Sequence, residues 1–173
     1  AVSLLVGSPF VEAAQDAEAE WVSLNSQAME LRQAGKYGEA MPLATRALAL
    51  AEQNLGENHP AVANSLGNLA HVYADQGDYA KATPLFQRAL AIWEKSLGPD
   101  DPNVAIVLFN LAWGYAKEGD FARAIPLQER ALPIFEKSRG PDHPDVATSL
   151  YHLALAYGVQ RNYAKAEPLY KRS

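Results

Sequence analysis

LGNLAHVYADQGDYAKATPLFQRAL, residues 66–90, decides how the chain folds. Leu66, Leu69, Ala70 and Tyr73 fall at i, i+3, i+4 and i+7, which makes one apolar stripe along a helix. Gly77 follows, and a glycine can take the left-handed turn that closes a helix. Asp78 then offers its carboxylate as the N-cap of a second helix. Along that helix Ala82, Leu85, Phe86, Ala89, Leu90 and Trp93 again mark a single face, and the small Ala82 and Ala89 let neighbouring helices approach closely. The stretch reads as two helices joined by a tight turn.

Outward from it, the same unit recurs. Gly35, Gly77 and Gly119 lie 42 residues apart, and Tyr37, Tyr79, Phe121 and Tyr163 keep that step. So do Ala40, Ala82, Ala124 and Ala166, the prolines 42, 84, 126 and 168, and Arg46, Arg88, Arg130 and Arg172. Residues 62–102 and 104–144 agree at 25 of 41 positions, far beyond what shared helix propensity gives. Linkers of one kind separate the units: Asn58-His59-Pro60, Asp100-Asp101-Pro102 and Asp142-His143-Pro144. Proline suits the first turn of the next helix, and His59 and His143 are placed to cap it. Asp120 and Asn162 repeat the capping role of Asp78. Pro84 and its equivalents sit inside the second helix, where a kink that curves the array is one expectation and inherited duplication the other.

Composition narrows the rest. The chain has 173 residues, 49% hydrophobic, enough for a packed array. Its net charge is −5, and no basic run is present, which argues against nucleic acid. There is no cysteine, so disulfides, thiolate catalysis and Cys-rich zinc sites are excluded. The histidines 59, 71, 143 and 152 make no His-x-x-x-His pair, and neither a phosphate-binding glycine loop nor a nucleophile elbow occurs. The expectation is a protein that is no enzyme, with no catalytic residue, metal or cofactor. Ala1 to Val6 is almost entirely apolar, Gly7-Ser8-Pro9 is a breaker, and Ala13-Ala14 supplies small residues, an order that resembles the tail of a secretory signal. Residues 1–17 are therefore set apart as an apolar tail and signal remnant, ahead of an array at 18–173 with repeats near 21–60, 61–102, 103–144 and an incomplete 145–173. That places the protein in the periplasm or outside the cell, with a tail packed on the array of a cytoplasmic protein as the alternative. The apolar run is far too short to span a bilayer, which takes roughly 20 residues.

The pattern Leu66-x-x-Leu69-Ala70-x-x-Tyr73, then Gly77-Asp78-Tyr79, Ala82, Phe86 and Ala89, resembles the tetratricopeptide repeat. The longer period and the Gly140-Pro141-Asp142-His143-Pro144 linker resemble the repeats of kinesin light chain and of many bacterial proteins. The resemblance implies an all-α, right-handed solenoid of about three and a half repeats. It also implies that the side of each first helix opposite the apolar stripe lines a concave groove for a peptide or partner protein. Those positions are Asn25 with Val22, Ser26 and Met29 in repeat 1, and Asn64, Asn68 and His71 with Gly67 in repeat 2. Repeat 3 gives Ile106, Phe109, Asn110, Trp113 and Lys117, and repeat 4 gives Tyr151, His152 and Leu155 with Thr148. Asn68 and Asn110 are equivalent and suit pairing with a peptide backbone, whereas Ser26 and His152 interrupt that ladder. Phe109, Trp113, Ile106 and Tyr151 form an aromatic cluster of the kind that anchors partners. A carboxylate clamp would need several groove cations, and only Lys117 and Arg32 are placed for it. Two alternatives stay open: a self-assembling structural protein, associating through the incomplete last repeat, and a regulatory repeat region of a larger enzyme.

Overall fold

The computed structural model describes residues 9–173, with side chains from Gln15 onward. Among the described residues there are eight helices and no strands: α1 Pro9–Gln33, α2 Tyr37–Leu55, α3 Pro60–Asp75, α4 Tyr79–Leu97, α5 Pro102–Lys117, α6 Phe121–Arg139, α7 Pro144–Val159 and α8 Tyr163–Arg172. Odd and even helices are the first and second members of successive pairs. Each helix packs mainly on its neighbours in sequence, and first helices also meet across a pair, as α1 does on α3 and α5 on α7. This is an all-α solenoid.

The local signals set the boundaries. His59 and His143 accept the N–H of Ala61 and Asp145 through Nδ1, each at 3.2 Å, so both cap a first helix that opens on proline. Asp78 accepts from Lys81 N at 3.2 Å and Asp120 from Arg123 N at 3.0 Å. Asn162 takes the same place before α8. Lys36, which precedes α2, makes no such bond. Gly77 and Gly119 close their first helices at φ 80° and 82°. In the last copy Arg161 adopts φ 60° in their stead. The helices run unbroken through Pro42, Pro84, Pro126, Pro133 and Pro168.

The core lies in seams between successive pairs. Leu66, Leu108 and Leu150 occupy one position in three successive repeats and are fully buried. Each is expected to cost about 3 kcal/mol on truncation to alanine, the scale of a buried cavity. Val62, Leu69 and Val72 are buried where α3 meets the preceding pair, with Leu69 beside Ala28 and Ala44. Val104, Leu111 and Gly114 repeat this in α5, where a Cβ on Gly114 would lie 3.5 Å from Thr83 Oγ1. In α1 the same three positions carry Glu20, Gln27 and Glu30, so its outer face is polar. At the other end, positions that are half-buried or buried in the earlier copies stand open. Tyr163 is 66% exposed and Tyr170 42%, beside a cavity of about 440 Å³ that Gly158 and Ala166 also line.

The first helix begins earlier than the sequence suggests. Residues 9–17, assigned above to an apolar tail, are helical and continuous with α1. Pro9 supplies the φ that a first turn needs, and the alanine- and glutamate-rich run after it has high helix propensity. The other first helices start at positions equivalent to residue 18, so α1 overhangs them by nine residues, about 13 Å. The signal-like order of residues 1–8 lies outside the described residues.

Candidate partner-binding groove

The odd-numbered helices carry the candidate residues, and every one of these keeps some solvent exposure. Asn64, Ile106, Lys117, Tyr151 and Leu155 are exposed, and Asn25, Asn68, His71, Phe109, Asn110, Trp113 and His152 are half-buried. They are half-buried because neighbouring helices lie against them.

The amides are not free. Asn68 Nδ2 donates to Asn25 Oδ1 at 2.7 Å, and Asn25 Nδ2 donates to the Trp21 carbonyl at 2.9 Å. One repeat further on, Asn110 Nδ2 lies 3.4 Å from His71 Nε2. One N–H of Asn68 and of Asn110 is therefore committed within the protein, leaving their carbonyl oxygens as the acceptors on offer. Adjacent first helices are thus linked by side-chain pairs, Asn25 with Asn68 and His71 with Asn110. His71 also meets the Phe86 ring edge-on at 5.1 Å. Burial, together with the nearby Arg32 charge, lowers its pKa to about 4 against an opposing pull from Asp75, so the ring is neutral at pH 7.

The aromatic cluster converges on His152, whose central place periodicity did not reveal. Its ring lies 4.6 Å from Trp113, 5.6 Å from Phe109 and 5.5 Å from Tyr151, all edge-to-face. Burial and the Lys117 charge lower the His152 pKa. Phe109 leans on Phe135 of the second-helix layer, and Tyr151 on Tyr170. His71, Phe109, Asn110, Trp113, Lys117 and His152 border a shared cavity of about 520 Å³. The two groove cations are engaged: Lys117 Nζ sits 4.3 Å above the Trp113 ring, and Arg32 pairs with Asp75 at 3.5 Å. Among the described residues no group of three His, Asp or Glu side chains could hold a metal ion. No described helix is long and apolar enough to cross a membrane.

A second array runs behind the groove. Arg88, Arg130 and Arg172 pair with Glu52, Glu94 and Glu136 of the preceding second helix, and Arg46 turns to Glu20 of α1. Glu94 and Glu136 thus form rungs of this array. Their 42-residue spacing was a readable signal that matches the arginines.

Comparison with known proteins agrees with this fold. The family pattern described as Tetratricopeptide repeat matches residues 22–89, 62–137 and 114–173. No curated protein matches the chain. Among solved structures, BtubC (BKLC) from P. vanneervenii is similar at TM-score 0.80 and 26% identity, over 86% of this chain and 59% of that one. A protein of Podosopora anserina, described as a kinesin light chain with nearly identical TPR-like repeats, is similar at TM-score 0.77 and 28% identity, over 85% and 70%. The apo form of RapI, at 21% identity and TM-score 0.79 over 91% and 42%, shares the fold. The chain therefore spans about three fifths of the length of BtubC.

Proposed function

The chain belongs to the tetratricopeptide repeat family, a scaffold for protein interaction, and from that premise we propose that its groove holds an extended or helical peptide of a partner protein. The observation that carries this reading is the cluster of Phe109, Trp113, Tyr151 and His152, open to the groove beside Ile106 and Leu155. Aromatic side chains already fixed by edge-to-face contacts lose little entropy on binding, so such clusters act as anchors. Asn68 and Asn110 use Nδ2 within the protein and so keep their carbonyl oxygens as acceptors for a ligand's N–H groups. Acidic tails are disfavoured, since Arg32 is neutralised by Asp75 and Lys117 is drawn onto Trp113. The role is one of holding, with no chemistry performed.

The test is affinity selection from a random peptide library, followed by titration of the selected peptide. Trp113→Ala is expected to weaken binding by about 2 kcal/mol, the size of an aromatic hot spot, at an unchanged melting temperature. Selected ligands that are acidic C-termini with steep salt dependence would overturn the reading.

A further inference from the structure

The three seams between helix pairs are built from equivalent positions, but one of them lacks a side chain. In the second seam the even helix contributes Trp93 and in the third Phe135, both at most 8% exposed. The equivalent in the first seam is Ala51. The bulk has moved instead to α1. Trp21 stands where α3 and α5 carry Ala63 and Ala105, and its Nε1 donates to Ser65 Oγ at 2.8 Å. The exchange does not fill the space. A cavity of about 710 Å³ lies against Trp21, Ala51 and Leu55, and the overhanging start of α1 walls it through Gln15 and Ala17.

At the same place in the third seam only about 260 Å³ is left, because Phe135 enters it and Arg139 pairs with Asp145 across its mouth. In the first seam that closing pair is replaced by Leu55 and Ala61, so no ion pair spans the open mouth, although Glu18, Asn54 and His59 stand among its lining. Asn64, one of the groove residues, forms its inner rim.

We propose that this cavity receives one large apolar side chain of aromatic-ring size from the partner lying in the groove. The molecule itself supplies the template: its other two seams put an aromatic ring at the position that Ala51 leaves short. The assignment to a partner rests on the groove reading above. A peptide that runs along the odd helices passes Asn64, and a ring reaching over that rim meets Trp21 and Leu55 and no charged pair.

The experiment is a titration of isotope-labelled protein with free indole, read at the Trp21 side-chain N–H, whose bond to Ser65 makes it a reporter inside the cavity. A saturable shift is expected. Ala51→Trp, which restores the missing bulk, is expected to weaken indole binding about tenfold or more, the equivalent of 1.4 kcal/mol. Leu55→Asp, which sets a carboxylate at the mouth on an exposed position, is expected to do the same and covers the case in which Ala51→Trp fails to fold. Trp113→Ala is expected to bind indole as the parent does. The proposal is overturned by an unsaturable response, by equal affinity in the folded cavity variants, or by loss of the shift in Trp113→Ala, which would put indole in the groove cluster. Saturation that appears only after residues 1–8 are removed would overturn it too, because the cavity would then belong to this chain's own N-terminal segment. A groove that selects no peptide leaves this titration unaffected, so the two readings fail separately.

Discussion

Arg161 holds φ 60° at the turn where the other copies place Gly35, Gly77 and Gly119. A side chain in the left-handed region costs roughly 1 kcal/mol, which glycine avoids. Arg161→Gly is therefore expected to raise stability by about 0.5 kcal/mol once the looser unfolded chain is counted. Gly77→Val and Gly119→Val are expected to lower it by more than about 1 kcal/mol each. Unchanged melting temperatures would contradict both. His71 gives the molecule a pH signature. Its folded pKa, about 4, lies below the ordinary 6.5, so between these values the unfolded chain binds more protons. The stabilisation is complete above pH 6.5 and is lost as the pH falls through about 4, by an amount of the order of 3 kcal/mol at most. Protonation would also turn the Nε2 acceptor facing Asn110 into a donor. Urea melts of His71→Phe are expected to show a flatter slope across that window, whereas an unaltered slope would assign the acid sensitivity elsewhere.

Helix ends show how far periodicity reaches. Asp78, Asp120 and Asn162 were identifiable as caps because a cap bonds within three residues of itself, and sequence spacing describes that directly. Lys36 breaks the series, so Lys36→Asp is expected to stabilise the array by about 1 kcal/mol, and Asp120→Ala to cost a similar amount. Thermal melts of the two single variants check the pair. The groove positions were also legible, since a helix turns by a constant angle. Their partners were not. A 42-residue repeat finds equivalent positions, yet Asn25 meets Asn68 at a separation of 43 and His71 meets Asn110 at 39. Contacts between adjacent helices join positions that are not equivalent, and their offset depends on how one helix is rotated against the next. The same blindness hid His152 at the centre of its cluster, and hid the void beside Ala51, which is a difference in volume rather than in pattern.

Across the whole molecule, contacts stay between neighbours, so stability is a sum of local seams rather than one shared core. α8 buries only Ala166, whereas α3 to α6 are enclosed on both sides. Hydrogen exchange is expected to be fastest in α8 and slowest in α3 to α6, with intermediate rates in α7. Uniform protection along the chain would show a single cooperative unit instead.

The two outer faces of the described residues are unlike in chemistry. Growth by stepwise addition requires two mutually adhesive faces, and residues 9–173 present one apolar face and one polar face. Tyr163 and Tyr170 belong to the apolar face, while Glu20, Gln27 and Glu30 of α1 are wetted and give it nothing to match. In polymer terms residues 9–173 taken by themselves are expected to be monofunctional: two copies would join tail to tail, and the joined pair would then terminate. Sedimentation over a concentration series is expected to show species no larger than a dimer, lost in Ala166→Glu. An indefinite ladder of oligomers would mean that the polar face of α1 takes part after all.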